Sequence, residues 1–322
     1  MSNKKQVLVT ATRFSECCPE AKQLLEANAF EVLEPCTEFP RLEKDALREI
    51  MPRVDGVIAG LDDWTEEVFS FSPRLRIIAR FGLGVDNIDL NAAKSHGIYV
   101  TNARESYHSV AEIALGLMLS CLRRIPLLDQ ATREGQWPRF IGRELFRKRI
   151  GLLGFGKIAQ TLAQRLSAFE CQLFAYDIAP NLEAAQKLGV TLLPSIEAVL
   201  RESQIVSLHI PAMPETHHMM NKEMFEKFEK GSLFINTARG SLVDEGALYE
   251  ALKTGQLGAA GIDVFEKEPA QKDNPLFTLD NFFCTPHQGA ETYETLSNVG
   301  LACAKSIVAA FRDERPDRLL NP

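Results

Sequence analysis

The chain has 322 residues, of which 45% are hydrophobic and 25% are charged, and its formal net charge at pH 7 is −7. This length predicts about two domains, and the composition is typical of a water-soluble globular protein. The acidic balance disfavours a surface that binds nucleic acid or an anionic membrane. An anionic substrate must therefore be bound by local positive groups rather than by a general positive field.

The seven cysteines include no Cys-x-x-Cys pair and no spacing typical of a zinc site, so no metal is predicted. Their odd number, together with the lack of a signal peptide, predicts reduced thiols in a cytoplasmic protein. No apolar stretch is long enough to span a membrane. We therefore expect neither a membrane nor a nucleic acid as a partner.

The first third of the chain alternates short apolar runs, typical of strands, with longer amphipathic runs, typical of helices. Such alternation predicts a small parallel sheet covered by helices. The predicted strands cover residues 6–10, 30–34, 54–59, 75–80 and 98–102, and the predicted helices cover residues 19–29, 42–50 and 90–96.

An almost wholly apolar run follows over residues 109–122 and carries one carboxylate, Glu112. A helix that is apolar on all sides is usually buried, so we expect this helix between two domains or in a subunit interface. The alternation then resumes, with strands predicted from Arg149 and at residues 172–176, 190–193, 205–210, 232–237, 259–264 and 282–285, and helices at residues 158–169, 221–228 and 244–254. A last amphipathic helix over residues 292–312 is expected to return to the first domain.

The first strand of the second half runs into the turn Gly154-Phe155-Gly156 and then into a helix-like segment. This is the strand–turn–helix order of a dinucleotide-binding fingerprint. Gly154 permits the tight turn, Gly156 lets backbone N–H groups approach a pyrophosphate, and the helix N-terminus adds partial positive charge. Ala159 stands where the third glycine would be, a variant that the fingerprint allows.

The next predicted strand ends at Asp177, 23 residues after Gly154. A carboxylate there can accept hydrogen bonds from ribose hydroxyls and would repel a 2′-phosphate, so the predicted cofactor is NAD rather than NADP. The alternative is a glycine-packed strand–helix turn followed by a surface aspartate.

Candidate ligand-binding residues follow six predicted strands of the second half, and ligands bind at the carboxyl ends of strands in such sheets. These residues are Gly154 and Gly156, Asp177, His209 and Pro211, the run from Thr237 to Gly240, Asp263, and His287. We therefore expect a cofactor turn, an arginine, carboxylates and histidines at one edge of the sheet.

Two of these side chains, together with Glu268, suggest chemistry on a small carboxylic acid. The planar, permanently charged guanidinium of Arg239 suits a 2-hydroxy or 2-oxo carboxylate, although Arg239 could instead pair with Asp244 or Glu245 on the surface. Histidine titrates near neutral pH, so His287 can exchange a proton with a hydroxyl group. Glu268 could orient that imidazole, or it could be one solvated charge in a polar loop.

Two further motifs have less specific interpretations. His217 and His218 look superficially like metal ligands, but the sequence offers no carboxylate or cysteine partner, so we interpret them as structural residues that open a helix. The loop Gly82-Leu83-Gly84 follows a strand of the first half, and its backbone N–H groups could bind a carboxylate. The alternative is a glycine-rich crossing that packing alone requires.

Five stretches resemble the D-isomer-specific 2-hydroxyacid dehydrogenases, particularly the phosphoglycerate dehydrogenase-like branch. They are FGLGVDNID at residues 81–89, the glycine turn, NTARGSLVD at 236–244, GIDVFEKEP at 261–269 and TPHQGA at 285–290. The resemblance implies an α/β protein with two doubly wound parallel-sheet domains. Residues 1–101 and 291–322 would form a discontinuous, flavodoxin-like substrate domain, and residues 102–290 a Rossmann NAD-binding domain that also forms most of a homodimer interface.

The resemblance also implies an NAD-dependent enzyme that interconverts a D-2-hydroxy acid and its 2-oxo acid by hydride transfer. Arg239, Glu268 and His287 would be its catalytic set, with Arg239 binding the substrate and His287 acting as the acid and base. The implied substrate-binding residues are Gly82, Leu83, Gly84, Arg239 and His287. The implied cofactor-binding residues are Gly154, Phe155, Gly156, Lys157, Ile158, Asp177, His209, Pro211, Thr216, Thr237, Ala238, Arg239, Asp263 and His287.

The sequence departs from the family's pattern after the strand that ends near Ala59. Serine-pathway phosphoglycerate enzymes carry an arginine there, whereas this chain has Gly60-Leu61-Asp62-Asp63, which disfavours 3-phosphoglycerate unless Arg80 or Arg104 substitutes. The segment over residues 102–108 also lacks the usual Pro-Gly, and Gln288 and Ala290 replace commoner residues. D-3-phosphoglycerate dehydrogenase, hydroxypyruvate or glyoxylate reductase, and an NAD(H)-sensing co-repressor of the same fold remain alternatives.

Overall fold

The computed structural model describes residues 4–35, 41–103 and 106–322. Contacts divide the chain into two compact units. The first unit is Met1–Ser106 with Ala290–Pro322, and the second unit is Tyr107–Gly289. The domain limits expected from the sequence, after residues 101 and 290, lie close to these two divisions.

The first unit is built on a five-stranded parallel sheet in the order β2-β1-β3-β4-β5. Its strands are β1 (Lys5–Val9), β2 (Phe30–Leu33), β3 (Gly56–Ala59), β4 (Ile77–Arg80) and β5 (Tyr99–Asn102), and its helices include α1 (Phe14–Cys17), α2 (Pro19–Ala27), α3 (Lys44–Ile50), α4 (Glu66–Ser70) and α5 (Leu90–Ser95). This strand order is that of a flavodoxin-like sheet. All four residues of β3 and of β4 are buried, as expected for strands covered on both faces.

The second unit is built on a seven-stranded parallel sheet in the order β12-β11-β10-β9-β6-β7-β8. Its strands are β6 (Arg149–Leu153), β7 (Gln172–Tyr176), β8 (Val190–Leu192), β9 (Ile205–Leu208), β10 (Ser232–Asn236), β11 (Leu257–Ile262) and β12 (Phe282–Cys284). Its helices are α6 (Tyr107–Arg123), α7 (Ile125–Arg133), α8 (Lys157–Leu166), α9 (Leu182–Leu188), α10 (Ile196–Glu202), α11 (Lys222–Phe225) and α12 (Glu245–Lys253). The strand order reverses between β6 and β9, which is the switch point of a doubly wound sheet.

These two sheets confirm the predicted fold class and all twelve predicted strands. The apolar run over residues 109–122 is part of α6, whose Ala114, Leu117 and Met118 are buried in the core of the second unit. A Cβ added at Gly261 of β11 would lie 2.9 Å from the Leu117 Cβ, so α6 and β11 are in very close contact.

The last helix, α13 (Tyr293–Phe311), packs on the sheet of the first unit as predicted. Leu296, Val299 and Ile307 of α13 share one buried cluster with Val7 of β1 and Phe14 of α1. The first unit is therefore completed by residues from both ends of the chain.

The helix predicted over residues 221–228 is shorter than expected, because α11 ends at Phe225. The Gln256 Nε2 donates to the carbonyl oxygens of Phe225 and Phe228, at 3.1 and 3.0 Å. A continuing α-helix would bond the Phe225 carbonyl to an N–H four residues later. The Gln256 side chain thus takes a carbonyl oxygen that a further turn of α11 would use for its own hydrogen bond.

Membrane-spanning helices, groups of metal ligands and cysteines were considered only for the ranges that the structure describes. None of their helices combines the length and the apolar character that crossing a bilayer requires. No group of three or more His, Cys, Asp or Glu side chains there could hold a metal ion. The cysteines at positions 17, 18, 121, 171, 284 and 303 are free thiols.

Gly151 gives a test of the packing around β6. A Cβ added there would lie 2.4 Å from both the Val199 Cγ1 and the Ser203 Oγ. We expect Gly151→Ala to lower the free energy of unfolding by about 1–3 kcal/mol, because it overpacks the core. In urea unfolding, the double variant with Val199→Ala should lose less than the sum of the two single variants, since the second change makes room. Strictly additive losses would contradict this steric explanation.

Candidate active site

The glycine turn lies where β6, β7 and β9 end. The Gly154 N–H donates to the Tyr176 carbonyl at 2.8 Å, and Gly154 has a φ of +88°. A Cβ added at Gly154 would lie 2.6 Å from the His209 carbonyl oxygen. Both the space and the backbone conformation therefore require glycine at this position.

The second glycine of the turn, Gly156, is the N-cap of α8 and has open space around it. A Cβ added there would meet no atom within 4 Å. Lys157 and Ile158 form the first turn of α8, where N–H groups have no acceptor within the helix and carry partial positive charge. This open helix N-terminus has the chemistry that binds a pyrophosphate.

The Asp177 carboxylate is bound to the glycine turn. Its Oδ2 accepts the Phe155 N–H at 2.7 Å, and its Oδ1 accepts the Ala179 N–H at 2.8 Å. Each carboxylate oxygen can accept a second hydrogen bond. Asp177 is therefore held at the end of β7 with acceptor capacity left for ribose hydroxyls.

The Thr237 hydroxyl, just after β10, provides a separate indication that a polar ligand binds at this edge. Its Oγ1 is buried and has no hydrogen-bond partner among the described residues. An unsatisfied buried hydroxyl is unfavourable, so a ligand that hydrogen-bonds to Thr237 would remove this penalty. With the open Gly156 turn and the fixed Asp177, this edge fits a bound dinucleotide.

The loop that carries Arg239 is shaped by Asn236, a fully buried residue at the end of β10. The Asn236 Oδ1 accepts the Ala238 N–H at 2.9 Å, and its Nδ2 donates to the Arg239 carbonyl at 2.8 Å. The Arg239 Nη1 donates to the Ala238 carbonyl at 2.8 Å. Asn236 is a site residue without a role predicted from the sequence, although an asparagine that begins a tight loop is the signal that could have revealed it.

The two carboxylates considered as surface partners of Arg239 have other roles. The Asp244 Oδ1 caps α12 by accepting the Ala247 N–H at 3.0 Å. Glu245 accepts the Glu266 N–H at 2.9 Å and the Asn274 Nδ2 at 2.7 Å. Both carboxylates thus stabilise the local backbone.

His287 and Glu268 form a pair on the loops after β12 and β11. The His287 Nδ1 lies 2.7 Å from the Glu268 Oε2, and the Glu268 Oε1 accepts the Phe265 N–H at 3.0 Å. A carboxylate at this distance selects the tautomer with hydrogen on Nδ1. The Nε2 of His287 is then available to exchange a proton with a ligand.

The pKa of Glu268 is lowered although burial opposes this. Burial alone would raise the pKa, but the hydrogen bond and charge of His287, the Phe265 N–H and the charge of Arg239 lower it further than burial raises it. Glu268 is therefore a carboxylate at neutral pH. Its coupling to both His287 and Arg239 shows that the three predicted catalytic side chains lie at one place in the second unit.

Asp263, at the end of β11, is only 1% exposed and holds the loop that carries His287. Its Oδ1 accepts the Thr285 Oγ1 hydrogen and the Gln288 N–H, and its Oδ2 accepts the Gly289 N–H, at 2.5, 2.7 and 2.8 Å. Burial raises the pKa of Asp263, and these three donors oppose that shift. A contact of Asp263 with the cofactor stays a prediction.

The remaining predicted cofactor residues lie after β9. Burial lowers the pKa of His209 to about 4, so its imidazole is neutral at pH 7, and its Nε2 lies 2.9 Å from the Ser207 Oγ. The Thr216 Oγ1 accepts the Met213 N–H at 2.8 Å and lies 3.0 Å from the Pro211 carbonyl. Thr216 and Pro211 therefore form one compact turn, and their cofactor contacts stay predictions.

The Gly82–Gly84 loop lies in the first unit. The Arg80 guanidinium is beneath it and donates through Nη1 to the carbonyls of Ala59 and Phe81, at 3.3 and 2.5 Å. The Asn102 Nδ2 donates to the Leu83 carbonyl at 2.8 Å, which holds the loop from its other side. Arg80 thus binds backbone carbonyls of two strand ends, and Arg104 lies outside the described residues.

The interpretation of His217 and His218 was wrong in two respects. The two residues do not open a helix, and the Nε2 of His218 contacts the Oε1 of Glu266. His218 has a φ of +50° and follows a short helical turn at Pro214–Thr216. The carboxylate partner lies 48 residues later in the chain, so no local motif could reveal it.

Comparisons with known proteins agree on one family. The model of the "D-isomer specific 2-hydroxyacid dehydrogenase, NAD binding domain" matches residues 115–289. The hydroxypyruvate reductase of Thermotoga maritima is 41% identical over 294 residues, which cover 89% of this chain and 94% of that protein. The crystal structure of a D-lactate dehydrogenase from Aquifex aeolicus, complexed with NAD and lactic acid, is similar with a TM-score of 0.85 and 26% identity, and covers 99% of each chain.

The D-3-phosphoglycerate dehydrogenase of Methanocaldococcus jannaschii is 39% identical over 303 residues, which cover 93% of this chain. That match covers 57% of the relative's own length. The chain therefore spans little more than half the length of the phosphoglycerate dehydrogenases that it resembles.

The two glycines of the turn give a matched pair of variants. We expect Gly154→Ala to destabilise the protein by about 1–3 kcal/mol, because alanine disfavours this positive φ and would clash with the His209 carbonyl. Gly156→Ala should destabilise the protein less, since its methyl group meets open space and only the N-cap preference for glycine is lost, yet it should bind NADH about tenfold more weakly. Urea unfolding and NADH titration would measure the two effects. Equal affinity in Gly156→Ala would argue against a pyrophosphate at this turn.

Proposed function

The chain belongs to the family of D-isomer-specific 2-hydroxyacid dehydrogenases, and we propose that it interconverts a D-2-hydroxy acid and its 2-oxo acid with NAD as the cofactor. The observation that carries this proposal is the His287–Glu268 pair, with its 2.7 Å contact, beside Arg239 and at the same sheet edge as the glycine turn. We assign cofactor binding to the second unit, and we propose Gly82, Leu83, Gly84, Arg239 and His287 as the residues that bind the substrate.

The proposed reduction needs a hydride, which bound NADH supplies to C2 of the oxo acid. The Arg239 guanidinium binds the substrate and stabilises the negative charge that develops on the 2-oxo oxygen. His287 donates the proton on Nε2 to that oxygen, while Glu268 accepts the Nδ1–H and stabilises the protonated imidazole. In the oxidation, the Nε2 of His287 accepts the hydroxyl proton instead.

We favour an unphosphorylated acid as the substrate. The loops after β3 and β4, residues 60–64 and 81–88, contain three aspartates and no Lys, Arg or His. Leu61 and Leu83 in these loops are 38% and 43% exposed. Asp62 is buried and Asp63 pairs with Arg41, so the support comes from the lack of basic residues: these loops contribute no positive charge with which a phosphate group could pair. This supports a reductase of hydroxypyruvate, glyoxylate or a related acid over a 3-phosphoglycerate dehydrogenase.

We also infer a cytoplasmic homodimer formed through the second unit. None of the residues of α7 is buried, and the segment that begins there exposes Ile125, Trp137, Phe140, Ile141 and Phe146, with Ile141 95% exposed. Several large apolar side chains along one segment are typical of a protein interface. The free thiols of the described residues support a reducing compartment.

Loss of NADH absorbance with a panel of 2-oxo acids tests the reaction. The panel contains glyoxylate, pyruvate, hydroxypyruvate, its phosphorylated form, and branched and aromatic acids, with NADPH in parallel. We expect fast turnover of an unphosphorylated acid with NADH. His287→Asn should lower kcat by about 10²–10⁴-fold, because the proton donor is lost while asparagine tolerates the positive φ of His287.

The control for this variant is His96→Asn, which removes a histidine from a His–Glu pair of the first unit and should keep wild-type kcat. Full activity of His287→Asn would remove His287 from the mechanism. Tight NADH binding without turnover of any acid would instead favour the co-repressor-like alternative.

Light scattering coupled to gel filtration tests the dimer. Wild-type protein should elute with twice the mass of one chain. Ile141→Glu should shift it to the monomer, because a buried unpaired carboxylate weakens an apolar interface. Leu182→Glu is the control, since Leu182 is also exposed, at 69%, but lies on α9. A monomeric wild type, or dissociation by both variants alike, would contradict the proposed interface.

A further inference from the structure

The position of Glu268 depends on the backbone of its own loop. The Glu268 Oε1 accepts the Phe265 N–H at 3.0 Å, so the carboxylate moves with this peptide. The next peptide lies directly on Gly240: a Cβ added at Gly240 would be 1.9 Å from the Phe265 carbonyl carbon and oxygen and 2.4 Å from the Glu266 nitrogen. The loop of Glu268 and the segment that follows Arg239 therefore touch through backbone atoms.

His218 bonds to both of these chain segments. Its backbone N–H donates to the Ser241 carbonyl at 2.9 Å, directly after the Arg239-Gly240 peptide. Its side-chain Nε2 contacts the Oε1 of Glu266, two residues before Glu268. Two residues later, the Met220 N–H donates to the Leu242 carbonyl at 2.9 Å and extends the backbone contact. His218 thus joins the loop of Glu268 to the segment after Arg239.

The surroundings of this pair are polar and partly exposed. The His217 ring stacks on the His218 ring with centroids 4.0 Å apart, and the Glu266 N–H donates to the Glu245 Oε1 at 2.9 Å. The side chains of His218 and Glu266 are 37% and 36% exposed. Exposed ion pairs contribute little to the free energy of folding. Loss of the pair should therefore leave the fold intact and alter only where the Glu268 loop lies.

We propose that His218 and Glu266 are positioning residues for the proposed dehydrogenase reaction. The pair holds the Glu268 loop against the segment after Arg239 and so keeps the Glu268 carboxylate directed at the His287 Nδ1. A displacement of about 1 Å would break that hydrogen bond and would lower turnover strongly. The catalytic consequence rests on the proposed function, whereas the restraint on the loop can be measured without any turnover.

Three variants separate the side-chain contact from other effects. His218→Asn removes the imidazole and accommodates the φ of +50°. Glu266→Ala removes the carboxylate, and Glu266→Gln keeps an oxygen that can accept a hydrogen bond from His218. His96→Asn is the matched control, because it breaks another partly exposed His–Glu pair, with a 2.7 Å contact, in the first unit.

Amide hydrogen exchange of peptides that cover residues 264–269 measures the restraint directly. We expect faster exchange in His218→Asn and Glu266→Ala, since the Phe265 N–H would bond less steadily to Glu268. Glu266→Gln and His96→Asn should exchange like the wild type. Thermal unfolding should show similar midpoints for all variants.

Kinetics with the best 2-oxo acid measure the catalytic consequence. We expect kcat to fall about tenfold in His218→Asn and Glu266→Ala, with the KM for NADH unchanged. The alkaline limb of the pH profile for reduction should move to lower pH, because a loosely held carboxylate stabilises the protonated imidazole of His287 less. The double variant, His218→Asn with Glu266→Ala, should be no slower than either single variant, because both changes remove the same interaction.

Unchanged exchange over residues 264–269 in His218→Asn and Glu266→Ala would overturn the proposal, whether or not the wild type is active. If these two variants exchange faster over residues 264–269 but keep the kcat and the pH profile of an active wild type, the proposal is overturned as well. The His218–Glu266 pair would then have only a structural role. A wild type that turns over no 2-oxo acid would contradict the proposed function alone, and exchange would still decide whether the pair restrains the loop.

Discussion

A buried carboxylate at the end of β11 is the constraint on which the candidate site depends. Asp263 is 1% exposed, and the unfavourable burial of its carboxylate is offset by donors from Thr285, Gln288 and Gly289. Its backbone continues the link: its N–H donates to the Asn236 carbonyl and its carbonyl accepts the His287 N–H, at 2.9 and 2.8 Å. The ends of β10, β11 and β12 are therefore joined through one residue, which places the His287 backbone relative to the Arg239 loop.

The pKa values of Asp263 and Glu268, two carboxylates near this edge, shift in opposite directions because their surroundings differ. Burial raises the pKa of Asp263, whereas His287, Phe265 and Arg239 together lower that of Glu268 although burial acts in the opposite direction. Asp263 uses its oxygens to hold a backbone loop. Glu268 faces an imidazole and can stabilise its protonated form. The two carboxylates are five residues apart in sequence, yet the pKa of Asp263 is raised and that of Glu268 is lowered.

The strands and the glycine turn could be predicted because their causes are local. Strands covered on both faces, such as β3 and β4, are continuous apolar runs, and Gly154 is required by its own backbone conformation. What could not be predicted depends on partners distant in sequence. Gln256 ends α11 by bonding carbonyls 28 and 31 residues away, and His218 finds its carboxylate 48 residues later. The role of Asn236 was local in origin but required the loop geometry to be recognised.

In the first unit, an arginine side chain bonds to backbone carbonyls at two strand ends. Ala59 and Arg80 are paired in register at the ends of β3 and β4, and the Arg80 guanidinium turns back to donate to the Ala59 and Phe81 carbonyls. Its charge therefore lies beneath the Gly82–Gly84 loop, while buried Asp62 lies at the neighbouring strand end. A carboxylate group can be bound by backbone N–H donors such as those of a glycine-rich loop. A phosphate group, with a second charge to balance, needs more positive charge than these loops provide. The substrate preference that we propose thus follows from the side chains of these loops, since a net charge of −7 supplies no general positive field.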